Sequence, residues 1–122
     1  MPSYQGGIFA ARRSFSVDHS AAIERFVRGY LGGLAWTLDP ANEAAATALL
    51  LERMPAINPS VVGAVMEKLV DPRTGLTPGG HIDRDGMATV LELRSRYATP
   101  RRTLDSIEPY IDLSYYDRAT GR

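Results

Sequence analysis

The chain has no cysteine among its 122 residues. That excludes disulfide staples, thiolate nucleophiles and cysteine metal sites, and it leaves the compartment open, since many exported bacterial proteins also lack cysteine. An excess of charge of either sign is lacking too, with 14 basic against 14 acidic residues. A balanced chain has no long-range field to gather nucleic acid or an anionic membrane, so neither is expected as a partner. Adjacent arginines occur only as Arg12-Arg13 and Arg101-Arg102, and both pairs read as solvated. The longest apolar stretch, residues 44–51 with Thr47 inside it, falls far short of the roughly 20 residues of a membrane span, so no insertion is expected. The first residues, MPSYQ, lack a charged region followed by an apolar core, which predicts no secretory signal peptide there.

Catalytic signatures are equally sparse. There is no G-x-S-x-G turn, no G-x-x-x-x-G-K loop and no H-x-x-x-H pair, so nucleophilic, phosphate-loop and zinc chemistry have no scaffold. The two histidines, His19 and His81, read as surface groups at a helix start and in a polar loop. No enzyme activity and no cofactor are expected.

What is present is mostly helical pattern. In residues 20–38 the apolar positions Ile23, Phe26, Val27, Tyr30, Leu31, Leu34 and Leu38 recur at steps of three and four, one stripe of an amphipathic helix. Gly29, Gly32 and Gly33 interrupt it; each costs roughly 1 kcal/mol against alanine, and three together suggest close packing of another backbone. Asp39-Pro40 opens a helix over 40–54 and Asn58-Pro59 one over 59–70. In both, a side-chain oxygen caps free amides and proline occupies the first helical position. Residues 71–80, DPRTGLTPGG, read as a loop. Further helices are expected over 83–98, ended by Thr99-Pro100, and over 112–119.

Residues 7–15, GIFAARRSF, carry a continuous apolar start that predicts a strand buried on both faces, a short helix being the competing reading. The expected fold is therefore mainly α with one N-terminal strand. A lone strand cannot satisfy its own backbone groups, which points to a fragment or to an obligate assembly, including a homodimer through the N-terminal strand.

The order of these pieces carries a resemblance. YQGGIFAARRSF, then RFVRGYLGGLAW, DPANEAA, GLTPGGHID, GMATVLEL and the closing YIDLSYY resemble, in sequence along the chain, the C-terminal part of ABC-transporter periplasmic substrate-binding proteins. The branch is the one serving nitrate, sulfonate, taurine and thiamine-pyrimidine precursors. The resemblance spans nearly all of the chain but only the last part of such a protein, and it rests on the succession of segments rather than on one motif. It implies a fragment of an α/β type II periplasmic-binding-protein lobe, a small-molecule solute and an ABC permease as partners, and closure of two lobes about a hinge. It implies a periplasmic location; a chain of this extent without a leader would instead stay cytoplasmic. Most ligand contacts would come from the missing lobes, so this part alone should bind little. Tyr4 and Gln5, just ahead of the expected returning strand, fall nearest the hinge and are the ligand-binding candidates the resemblance offers.

Two other groups invite a functional reading. Residues 81–92 place Asp83, Asp85, Gly86 and Glu92 at the third, fifth, sixth and twelfth positions of a calcium loop, where hard oxygens converge around a glycine turn. His81 at the first position and the absence of an entering helix weigh against it; cap and first-turn acids are the simpler account. Tyr110, Tyr115 and Tyr116 could stack on a ring-shaped ligand, or dock the tail on the protein's own core.

Overall fold

The structure, a computed structural model, describes residues 3–122. Its helices are α1 (Arg13–Asp18), α2 (Ser20–Leu38), α3 (Glu43–Arg53), α4 (Val62–Leu69), α5 (Arg84–Tyr97) and α6 (Ser114–Thr120). Single 3-10 turns lie at Pro40–Asn42, Pro59–Val61, Pro78–Gly80 and Glu108–Tyr110. No strand is present among the described residues, which corrects the expected N-terminal strand. Residues 3–12 have no regular structure, and Ile8 and Phe9 are 56% and 66% exposed rather than buried on two faces. The physical reason lies in hydrogen bonding. Arg12 is extended (φ −64°, ψ 137°), yet its carbonyl already accepts from the Ser16 amide at 2.9 Å, and the Ser16 hydroxyl donates to the Arg13 carbonyl at 2.9 Å. A helix satisfies backbone groups within the segment, whereas a strand needs a neighbour that the chain does not provide.

The chain divides into two compact units, one through Val27 together with Ile82–Arg122, the other Arg28–His81. In the second unit the buried residues are Leu34 of α2, Ala46 of α3 and Met66 of α4, and α3 packs on α4. Both proline-led starts are built as their chemistry requires. Asp39 accepts from the Ala41 amide and Asn58 from the Ser60 amide, each at 2.9 Å, and each cap leads into a 3-10 turn before the α-helix proper. Asp71 organises the following loop by accepting from the amides of Arg73 (2.8 Å) and Thr74 (3.0 Å). The loop folds back so tightly that a Cβ on Gly75 would lie 2.4 Å from the Leu69 carbonyl oxygen. Gly79 and Gly80 turn with φ of 71° and 62°, a region that costs other residues strain.

The first unit centres on α5, whose buried residues are Gly86, Met87 and Leu91. Asp83 caps this helix by accepting from the Gly86 amide at 3.0 Å. The C-terminal helix α6 is held by a polar clasp: the Tyr115 hydroxyl donates to the Ser16 carbonyl at 2.8 Å, and Arg118 lies 3.4 Å from Glu24 and 4.6 Å above the Tyr115 ring. Tyr115 thus docks within the unit. Tyr110, 55% exposed, does not.

Candidate functional site

The sequence candidates Tyr4 and Gln5 lie against the start of α5, and the two do different things. Gln5 is a structural clamp. Its Oε1 accepts from the Asp83 amide at 2.9 Å and its Nε2 donates to the Gly7 carbonyl at 2.7 Å, so half of its polar capacity is spent on backbone. Ser3 adds a hydrogen bond from its hydroxyl to Asp83 Oδ2. Gly86 admits the segment because it has no side chain; a Cβ there would lie 2.6 Å from the Gln5 nitrogen and 2.9 Å from the Tyr4 carbonyl carbon. Tyr4 itself is 61% exposed and rims an open depression of about 400 Å³ with Val90, Leu93, Arg94 and Tyr97. That hollow has an aromatic wall and one guanidinium, without the enclosure that holds a small ligand.

The same geometry disposes of convergence in the calcium-loop residues. Asp83 is committed to the Ser3 hydroxyl and the Gly86 amide. Asp85 stands in the first turn of α5, and Glu92 pairs with Arg96 at 2.6 Å. Nine residues along a helix separate Asp83 from Glu92 by roughly 13 Å, too far to share an ion. Among the described residues no group of three or more acidic, histidine or cysteine side chains is placed to hold a metal.

Three carboxylates are held below their ordinary range, each by donors that favour the charged form. For Asp83 the Ser3 hydroxyl leads, followed by the Gly86 amide. For Asp71 the Arg73 amide leads, with the Thr74 amide and the Lys68 charge helping. For Asp112 the Ser114 hydroxyl and amide lead, with Arg118 and Arg13 nearby. All three are cap and turn acids, stabilised as carboxylates; a general acid needs the opposite shift. His19 stacks edge-on against Phe15 at 4.5 Å, and the His81 ring lies over Gly79, whose added Cβ would meet Nε2 at 2.9 Å.

The larger exposed features are apolar instead. In the second unit, Val61, Val65, Leu69 and Leu76 line an open groove of about 460 Å³ between α4 and the loop that follows, with Lys68 and Thr74 at its edge. On α2, Phe26 is 50% and Trp36 39% exposed, so Phe26 stands outside the buried stripe in which its spacing placed it. Phe9 meets Phe26 edge-to-face at 5.0 Å. The total is large. A compact domain of 13.3 kDa exposes about 6,400 Å², and two independent domains of half that mass about 7,800 Å² together. This chain exposes 9218 Å², a surplus of roughly 1,400 Å² even against the two-domain reference. No helix among the described residues is long and apolar enough to cross a membrane, so the surplus does not belong to a membrane span. Comparison with protein-family models, with curated protein sequences and with solved structures gave no match, so the chain is read on its own residues.

Proposed function

We propose that this chain is a non-catalytic binding segment, the helical C-terminal part of a solute-binding protein that serves ABC import of a small organic or anionic nutrient. One observation carries the reading: surface beyond what a self-contained domain leaves exposed, much of it apolar, as on a lobe whose neighbours are supplied elsewhere. The succession of segments from YQGGIFAARRSF to YIDLSYY supports the family. Among the described residues no group of three or more carboxylate or histidine side chains is placed to hold a metal, which is compatible with a role in binding.

In this reading the segment contributes a wall, not the pocket. Tyr4 presents its ring beside the cleft while Gln5 anchors the chain that passes between lobes, through its bonds to Asp83 and Gly7. Ligand is bound when two lobes close, the solute shifting the population toward the closed state and a permease receiving it at the periplasmic face. The test is to sequence the DNA on both sides of the coding region and to express the longest open frame. The reading expects flanking βα units with an export signal, and a product that binds nitrate, a sulfonate or a pyrimidine by calorimetry, with weaker binding in a Tyr4→Ala variant. In-frame stops immediately outside the coding region, with null heats for the product, would contradict it.

A further inference from the structure

The groove beside α4 has a lining of one chemical kind. Val61, Ala64, Val65 and Leu69 fall on one side of the helix at steps of three and four, and Leu76 of the following loop supplies the facing wall. No aromatic ring borders it, and from Val61 to Leu69 the trough runs about 12 Å. The loop wall is fixed in place. The Leu76 amide donates to the Leu69 carbonyl at 2.7 Å and the Gly75 amide to the Asp71 carbonyl at 2.8 Å. Gly75 lies so close to the end of α4 that a Cβ there would sit 2.7 Å from the Lys68 carbonyl oxygen.

One charge meets this trough. Lys68 is the only charged side chain on the lining and the only lysine of the chain. Among the described residues no carboxylate forms an ion pair with it. Asp71 feels the Lys68 charge, but its carboxylate is spent on the loop, accepting from the Arg73 and Thr74 amides and from the Thr74 hydroxyl. The other polar side chain of the lining, Thr74, is thereby occupied.

We propose that this groove binds a free medium-chain aliphatic carboxylate, its alkyl chain lying along α4 and its head group on the Lys68 ammonium. An aliphatic trough without rings suits a flexible hydrocarbon chain, and a single uncommitted cation at its edge suits a single anionic head. The volume of about 460 Å³ falls within the roughly 300–1,000 Å³ of small-molecule sites. A groove open along its length admits a chain that keeps one side in water. An anionic bilayer is recruited by clusters of about four to eight basic residues, and this rim carries one, so the free amphiphile is the occupant. The site is built from the second unit alone and uses neither Tyr4 nor Gln5. It therefore goes beyond the transport reading and does not depend on it.

The experiment is an NMR titration of the whole chain with hexanoate, octanoate and decanoate below micelle formation. The valine and leucine methyl signals are followed together with reductively methylated Lys68, whose one companion label is the terminal amine. The expected result is saturable shifts at Val61, Val65, Leu69 and Lys68, with the terminal amine unmoved. Affinity should rise about twofold for each added methylene, because an open groove covers roughly half of the chain. Lys68→Gln should weaken decanoate about threefold and leave decanol unchanged. Ala64→Glu places an acid in the trough one turn before Lys68, a spacing that favours the helix, so the chain stays folded by circular dichroism while decanoate binding falls about tenfold or more. Hexanoate as tight as decanoate, equal shifts at the two amines, or an Ala64→Glu chain that binds like the parent would each overturn the proposal. So would capture of the chain by anionic phospholipid vesicles with no response to monomeric decanoate, which would assign the face to a membrane surface. None of these outcomes bears on what the flanking DNA encodes, so the two readings fail separately.

Discussion

Alanine at Gly29, in the interior of α2, and alanine at Gly86, in the first turn of α5, make the same chemical change and should move stability in opposite directions. At the helix-interior Gly29 alanine gains about 1 kcal/mol of intrinsic helix propensity over glycine, and at the first-turn Gly86 at most that. At Gly29 nothing lies within 4 Å of the new methyl group, so the gain stands alone. At Gly86 the methyl would sit 2.6 Å from the Gln5 nitrogen, 2.9 Å from the Tyr4 carbonyl carbon and 2.7 Å from Asp83 Oδ2. The first two are backbone and cannot rotate aside. Overpacking of this kind costs typically 1–3 kcal/mol, so the net expectation is a loss of about 1 kcal/mol. That is a fall of about 4–8 °C in Tm for a unit of this size. The escape route is for residues 3–7 to lift off the start of α5, breaking the Gln5–Asp83 and Ser3–Asp83 hydrogen bonds. Thermal unfolding gives the sign, and hydrogen exchange at the Asp83 amide gives the cause, since its protection depends on Gln5. A Gly86→Ala variant as stable as Gly29→Ala, with Asp83 protection unchanged, would refute the seating of the N-terminal segment on α5.

Other consequences can be measured alongside. Leu91→Ala and Met66→Ala, each emptying a buried position in one of the units, should cost about 2–3 kcal/mol in denaturant unfolding, at the low end because each site lies close to solvent. Tyr115→Phe removes the hydroxyl that donates to Ser16 and should cost about 1 kcal/mol, read by urea titration. The carboxylates of Asp71, Asp83 and Asp112 are depressed in the folded chain. Across the span between their folded and unfolded pKa values the unfolded chain holds more protons. Their stabilisation is therefore complete above the ordinary carboxylate range and lost as pH falls through the lower folded values. Melting followed from neutral pH into the acid range should show that decline, and Asp83→Asn should flatten it. Calcium titrated into the chain should give no specific heat, and Glu92→Gln should match the parent, because Asp83 and Glu92 do not converge.

The helices of this fold were largely legible because their signals are local. The 3.6-residue period places α2, and the side-chain oxygens of Asp39 and Asn58 act on amides two residues away. The same locality explains what was misread. A run such as residues 7–11 is apolar whether it is buried or waits for a partner, and periodicity does not say which; here Ile8 and Phe9 are exposed. Phe26 fits the apolar stripe by spacing, yet it sits at the stripe's edge and faces outward. The clamp by Gln5 was invisible for another reason. It joins residues 78 positions apart, and its one sequence trace is the glycine at position 86, which spacing alone assigns to a calcium turn as readily as to a close backbone approach. The three glycines of α2 suggest close packing of another backbone, but the structure leaves all three open.

The account turns on whether the exposed apolar surface is covered by flanking parts of a larger protein, and Trp36, the single tryptophan and 39% exposed, reports it directly. Acrylamide quenching of its fluorescence should be strong in dilute solution. It should fall, with a blue-shifted emission, when the flanking lobes are joined to the chain. Quenching and emission that stay constant when those lobes are joined, with the helical circular dichroism intact, would contradict it.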